Sequence, residues 1–395
     1  MMQKQHVLII GQDPRLGGGA FSLVQAIYHV HLSWGLAPIF VYFPNPPVPT
    51  RLFPNPSSCL LDGMTVLPLP RWTNRLGDLQ ELFSFWLLRR QLADSCAVIV
   101  VGGSAQLGFP VAATGLKYVL WVATGAWREI EAQIAAGEGN VTVPRHRWWW
   151  LERRERISLE ASSRIVVTSS VTATWLQERY PNQRDKMTVI PPPLDTQVFR
   201  PCSAQEQGQN SCVLFTGRYN DPRKNIPLLL QAFRLVRTQR PVARLILIGA
   251  EPDQAIKGLI ASLGLSNAVQ LLPCLPSRRD IIPFYQHAAV FVVSSVEEGF
   301  GISALEAMAC GIPVVSTRCG GPEDFVIDGQ TGFLVDSTPE GLAEGILRIL
   351  QSPQLRVEMS QRCVEFVRTN YSFSVISKRF RAVLAEVFPE VYGQP

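Results

Sequence analysis

Glu298-Gly-Phe-Gly-Ile-Ser-Ala-Leu-Glu306 sets two carboxylates eight positions apart, with glycines at 299 and 301 between them and small residues following. An apolar run precedes it, Ala288-Ala-Val-Phe-Val-Val293, and another follows, Ile312-Pro-Val-Val-Ser316. The layout reads as strand, glycine-bearing turn, helix, strand. Such units build open α/β sheets, which bind ligands in the crevice beyond the strand ends. The turn offers unpaired backbone N–H groups and the positive end of a helix, and both favour an anion. The glutamates can accept hydrogen bonds from hydroxyls. A ligand bearing phosphates and hydroxyls suits the arrangement better than a shared proton between two carboxylates does. The plain alternative is a pair of surface glutamates.

The same alternation extends in both directions. Short Val/Ile-rich runs at 7–10, 39–43, 65–67, 98–101, 118–122, 165–168 and 188–190 form one series of strands. Runs at 213–216, 245–248, 269–272, 290–293, 314–316 and 332–335 form a second. Helical patterns separate them, so both series read as parallel sheets. Between the series stand Pro191-Pro-Pro193 and a polar tract over 203–211, a composition that marks a connection between domains. The expected organisation is a first domain over 1–193, a linker over 194–211 and a second domain over 212–371. The closing segment 372–388 is amphipathic, and residues 44–56 read as a Pro-rich loop.

A chain of 395 residues with 47% hydrophobic and 17% charged residues can fill two or three cores. The net charge of +5 is too small to imply nucleic-acid binding, and it suits an anionic substrate or an anionic membrane surface equally. The eight cysteines have neither Cys-x-x-Cys nor zinc spacing. They read as reduced thiols of a cytoplasmic protein. The N-terminus runs directly into a strand, which argues against a signal peptide, and no apolar run approaches the length of a membrane span.

Three further segments carry chemistry. Gly11-Gln-Asp-Pro-Arg-Leu-Gly17-Gly-Gly19 follows the first strand and opens a helix over 20–32. It is a place for close backbone approach to an anion, or a tight turn with no ligand. Gly217-Arg-Tyr-Asn-Asp-Pro-Arg-Lys224 leaves a strand and precedes a helix over 226–237. Arg218 and Lys224, with Arg223 competing, could neutralise a diphosphate there. Cys319-Gly-Gly-Pro-Glu323 reads as another glycine turn opening a helix.

In this order, these segments resemble the retaining glycosyltransferases of the GT-B fold, specifically glycosyltransferase family 4. The resemblance runs from about Arg164 to Asn370. It rests on Arg164-Ile-Val-Val-Thr-Ser169, Val189-Ile-Pro-Pro-Pro-Leu-Asp195 with Phe199-Arg-Pro201, Gly217-Arg218 with Lys224, Glu298-Gly-Phe-Gly with Glu306, and Gly320-Gly-Pro-Glu323. It implies an α/β protein of two Rossmann-like doubly wound domains facing a cleft, with the last helix, 373–388, crossing back to the first. It also implies transfer of a hexose from a nucleotide diphosphate sugar to a saccharide or lipid-linked acceptor, in polysaccharide or glycolipid synthesis. Arg218 and Lys224 would stabilise the departing diphosphate. Glu298 would bind hydroxyls of the donor sugar, and Glu306 those of the ribose. Backbone groups at Gly217, Gly301, Ile302 and Ser303 would hold the donor, with Gly18 and Gly19 facing them. No cofactor and no metal is expected, and no Asp-x-Asp signature occurs. A histidine usual in the family is replaced by Ala123 or Thr124, so either Thr124 or a backbone group does its work, or the cleft is built differently, and the acceptor residues stay unassigned. A nucleotide-sugar epimerase and a non-catalytic nucleotide-sugar-binding homologue are the rival readings.

All nine tryptophans precede residue 176. They either fill the first domain's core or face an apolar or sugar-like partner. Arg145-His-Arg-Trp-Trp-Trp-Leu-Glu-Arg-Arg-Glu-Arg156 mixes arginines and tryptophans. On a helix, Trp150, Ile157 and Ala161 share one side, and Trp149 falls with Arg153 and Arg156. This is either an ordinary helix with a solvated basic face or a surface for an anionic membrane, which would make the protein peripheral on its inner face.

Overall fold

The computed structural model describes residues 6–11, 18–42, 59–61, 64–68, 95–125, 128, 131, 145–202, 211–249, 251, 253–275 and 277–393. The chain forms two compact units. One comprises Met1–Trp127, Val143–Pro193 and Ser374–Pro395, and the other Arg128–Thr142 and Leu194–Phe373.

The first unit holds eight strands: β1 (His6–Gly11), β2 (Pro38–Tyr42), β3 (Cys59–Leu61), β4 (Met64–Pro68), β5 (Ser95–Gly102), β6 (Val119–Val122), β7 (Arg164–Val167) and β8 (Met187–Val189). Their order is β3-β4-β2-β1-β5-β6-β7-β8. Every strand of the first series is present, and all pair in parallel except β3, which runs antiparallel to β4 at the edge. The sequence does not anticipate β3, because three residues show no alternation. The unbroken burial of Val7, Leu8, Ile9 and Ile10 in β1 reflects a central parallel strand covered on both faces.

The second unit holds β9 (Cys212–Thr216), β10 (Arg244–Ile248), β11 (Val269–Leu272), β12 (Val290–Val293), β13 (Val314–Thr317) and β14 (Gly332–Val335). Their order is β11-β10-β9-β12-β13-β14, all parallel. Because side chains alternate across a strand, Val213 and Phe215 of β9 enter one core with helices Ile226–Gln239 and Pro339–Gln351. Leu214 enters the opposite core with helix Ile302–Ala309. The sheet is thus covered on both sides, as expected for a Rossmann-like fold. Leu194 and Phe199, which the sequence places at the start of a linker, are buried in this second core. Leu194 is held by Tyr371 and Phe373 through backbone bonds of 2.9 Å each.

Helix Phe373–Val387 packs within the first unit. Phe380 lies 4.5 Å from Trp121 and 6.4 Å from Trp34, Arg379 bonds Val189 O at 2.8 Å, and Glu386 lies 3.3 Å from Arg164. Trp121 and Trp34 therefore serve packing. Trp149 and Trp150 do not, being 54% and 46% exposed. The inward side of helix Arg145–Ala161 is Glu155, Ser158 and Leu159 instead of the Trp150, Ile157 and Ala161 stripe. Glu155 is drawn in by the Tyr180 hydroxyl at 3.0 Å. The free cysteines Cys310, Cys319 and Cys363 are buried.

His31 ties the C-terminus to this unit. Its Nδ1–H donates to Ile27 O at 2.7 Å, so Nε2 accepts from the Tyr392 hydroxyl at 3.0 Å. Burial pushes its pKa down from 6.5 to about 4, against the carbonyl of Ile27, which favours the proton. The unfolded chain therefore binds the extra proton between these values. This stabilisation is complete above pH 6.5 and is lost as pH falls towards 4, on the order of 3 kcal/mol in all. Thermal melts should show the loss over that window. His31→Gln should flatten it, and an unchanged slope would refute the assignment.

Candidate active site

The strand order of the second unit reverses between β9 and β12. Chain leaving β9 covers one face of the sheet and chain leaving β12 covers the other, which opens a crevice at the strand ends. The loops after β9, β12 and β13 line this end.

The β9 loop begins at Gly217, whose N–H donates to Ile248 O at 2.8 Å. Asp221 organises it. The carboxylate accepts from the Arg223 N–H at 3.1 Å and from Arg223 Nη2 at 2.8 Å, and Arg218 Nη2 lies 3.3 Å away. Burial alone would raise the Asp221 pKa. The hydrogen bonds and charge of Arg223, with the charge of Arg218, outweigh burial and lower it. Arg218 remains 56% exposed, whereas Arg223 is 13% exposed. The loop closes through a short 3-10 turn, Pro222–Lys224, onto Asn225, which has φ +49° and starts the next helix.

Lys224 Nζ pairs with Glu298 Oε1, and the two side chains are 18% and 19% exposed. The Ser295 hydroxyl lies 3.4 Å from the same oxygen. Backbone stitching fixes the pair. The Val296 N–H donates to Arg223 O at 2.8 Å, and the Ser294 hydroxyl donates to Lys224 O at 2.7 Å. Glu298 N–H donates to Cys319 O and Gly321 N–H to Glu298 O, both at 2.8 Å. Three loops therefore form one hydrogen-bonded body. Burial, with the Glu298 carboxylate adding to it, raises the Cys319 pKa to about 12, so the thiol stays neutral there.

Gly301 has φ +90° and precedes helix Ile302–Ala309, whose start no side chain caps. The N–H groups near Ile302 and Ser303 are those an anion could take. Glu306, on the same helix, is 4% exposed. Its Oε2 accepts from the Tyr285 hydroxyl at 2.9 Å, Oε1 pairs with Arg278, and Tyr285 reaches Thr216 Oγ1 at 3.1 Å. A polar chain thus joins the end of β9 to this helix. Burial raises the Tyr285 pKa, so its hydroxyl keeps its proton.

The fold brings Gly217, Arg218, Lys224, Glu298, Gly301, Ile302, Ser303 and Glu306 to the strand ends of one unit. Gly18 and Gly19 open helix Gly18–Ser33 of the first unit. Thr124 is also in the first unit, 7% exposed, with its N–H donating to Gly103 O at 2.7 Å. The segment after Cys319 does not open a helix. It makes a single 3-10 turn, Gly321–Asp324, because Gly320 takes φ +113° and Glu323 folds back to bond its N–H at 2.9 Å. Arg278, Tyr285, Glu297 and Arg128 escape the sequence reading. No motif spacing marks them, and only the adjacency of Glu297 to Glu298 hints at a role.

Gly301→Ala should cost on the order of 1–2 kcal/mol, because a side chain at this φ is strained. Its Cβ would also meet Pro322 Cγ at 3.2 Å. Urea unfolding checks this, and an unchanged midpoint would show that the turn tolerates a side chain.

Residues 203–366 match the family described as Glycosyl transferases group 1. The D-inositol 3-phosphate glycosyltransferase of Acidothermus cellulolyticus is 32% identical over 248 residues, 58% of this chain and 54% of that protein. A probable sucrose-phosphate synthase of Thermosipho melanesiensis is 26% identical over 265 residues, 61% of each chain. The chain thus spans little more than half the length of these curated relatives. Sucrose-phosphate synthase of Thermosynechococcus elongatus superposes with a TM-score of 0.75 at 19% identity, covering 98% of this chain and 100% of the other. Anabaena Alr3699/HepE, solved in complex with UDP and glucose, superposes at 0.76 with 17% identity, covering 97% and 100%. Residues 203–366, which carry the three stitched loops, are similar to the glycosyl transferases group 1 family, and the chain has the GT-B fold.

Proposed function

We propose that this chain is a retaining, metal-independent glycosyltransferase that moves a hexose from a nucleotide diphosphate sugar to a saccharide or lipid-linked acceptor. The observation that carries this reading is the meeting of the Lys224–Glu298 pair with the uncapped start of helix Ile302–Ala309 at one strand-order reversal. Lys224 and Arg218 offset the charge that grows on the departing diphosphate, and the backbone near Gly301, Ile302 and Ser303 holds phosphate oxygens. Glu298 accepts from the hydroxyls of the donor sugar while Lys224 fixes its orientation. Glu306 binds the ribose. A carboxylate has about four lone-pair positions, so Arg278 and Tyr285 leave room for a ribose hydroxyl. Through an oxocarbenium-like state the bond from the anomeric carbon to the diphosphate oxygen breaks, the acceptor oxygen joins that carbon on the same face, and the acceptor's proton passes to the departing phosphate oxygen. The relatives named as glycosyltransferases and the neighbour holding UDP and glucose support a nucleotide-sugar donor.

The donor class is tested by thermal shift with UDP, GDP and ADP sugars. At one hundred times Kd, the matching donor adds about 2.7 kcal/mol by mass action. Lys224→Ala and Glu298→Ala should each lower transfer by roughly 10²–10³-fold, and chelation with EDTA should leave the rate unchanged. Wild-type transfer in both variants would overturn the site. Conversion of donor without any acceptor would identify an epimerase, and binding without turnover a non-catalytic homologue.

A cytoplasmic, membrane-peripheral location belongs to the same reading. Trp149 and Trp150 stand exposed on one helix, with the Arg153 guanidinium 5.2 Å from the Trp149 ring and Arg156 56% exposed. Aromatic rings beside cations suit an anionic headgroup layer. Among the described residues no helix is long and apolar enough to cross a membrane. The protein should float with anionic liposomes and lose that binding when Arg153 and Arg156 are changed to Glu. A wild type that stays at the bottom of the gradient would refute the membrane contact.

A further inference from the structure

We infer that Arg128 is a positioning residue for the sugar end of the donor site, an inference that rests on the nucleotide-sugar reading above. Arg128 opens the segment Arg128–Thr142, which groups with the second unit although the chain on either side belongs to the first. Its side chain is 16% exposed. Nε lies 3.7 Å from Glu297 Oε1, and the other oxygen of Glu297 lies 3.9 Å from Arg223 Nη1. Glu297 is only 6% exposed, so it serves as a buried bridge between Arg128 and the β9 loop.

The guanidinium also backs the third loop. A Cβ on Gly320 would fall 2.6 Å from Arg128 Nη2 and 2.7 Å from Glu298 O. Arg128 therefore occupies the space that a side chain at 320 would take, beside the backbone bridge between Glu298 and Gly320. It thus stands against both loops, at Glu297 after β12 and at Gly320 after β13.

Two observations point from packing to ligand. Arg128 Nη1 is buried and has no hydrogen-bond partner among the described residues. An unmet buried donor is costly, more so when charged, and an acceptor oxygen recovers that loss. The local charge is also informative. Arg128, Arg218, Arg223 and Lys224 face the carboxylates of Asp221, Glu297 and Glu298. Glu323, whose carboxylate accepts from the Gly320 N–H at 2.9 Å, is a fourth carboxylate, so the charges balance with Arg128 in place and its unmet donor suits a neutral hydroxyl. Guanidinium donors match hydroxyl oxygens, and placement at the Glu298–Gly320 bridge favours the sugar.

Calorimetric titration with UDP and UDP-glucose, or with the pair of another base if the donor screen selects it, separates these roles. Arg128→Gln should weaken UDP-glucose binding about tenfold, close to 1.4 kcal/mol, while UDP binding stays within about twofold. Arg128→Lys should recover part of the loss. Glu297→Gln, which removes the anchor and leaves Arg128 in place, should show the same selective loss and keeps the test valid if Arg128→Gln does not fold. Equal losses for both ligands would reduce Arg128 to a structural role and overturn the inference, as would no loss for either. Lys224→Ala should lose UDP as well. If the wild type binds no nucleotide or nucleotide sugar, the donor-site reading itself fails and the inference falls with it.

Discussion

β9 and β12 meet over two registered pairs, Val213 with Val290 and Leu214 with Phe291. From this short contact the chain departs in opposite directions, through β10 and β11 on one side and β13 and β14 on the other. Parallel strands put all their carboxyl ends at one edge, and the crossover helices must cover alternate faces to bury both sides of the sheet. The β9 and β12 loops therefore start as neighbours and separate. Residues far apart in sequence, such as Lys224 and Glu298, come within reach of each other only here.

The loops do not rely on that geometry alone. Ser294, Val296, Glu298 and Gly321 exchange short hydrogen bonds with neighbouring loops, and Asp221 and Glu297 each hold more than one arginine contact. A carboxylate buried between guanidinium groups is costly to strip of one partner, which keeps the remaining geometry narrow. Such rigidity lets fixed charges stabilise a departing diphosphate without reorganising as it leaves.

Much of this was legible in the sequence. Every strand expected from a Val/Ile run is present, because parallel strands covered on both faces must be apolar along their whole length. The turn at Gly301 was legible because its φ admits few other residues. Other features were not. β3 has too few residues for a pattern. The segment at Gly320 looked like a helix start, yet the Glu323 side chain closes it after one turn. Trp150 shares one side of its helix with Ile157 and Ala161, but the buried side is Glu155, Ser158 and Leu159, with Glu155 bonded to the hydroxyl of Tyr180.

By itself the sequence determined which segments are strands, which turns approach a ligand and which charged residues leave the strand ends. Those properties follow from local periodicity and from glycine's freedom, and they need no knowledge of distant partners. Only the tertiary structure decided how the charges are paired. Arg278 meets Glu306, and Arg128 meets Glu297 from more than one hundred and sixty residues away. Such pairings depend on strand order, since the sheet's reversal selects which loops share a crevice, and no local pattern in a loop records the identity of its neighbour.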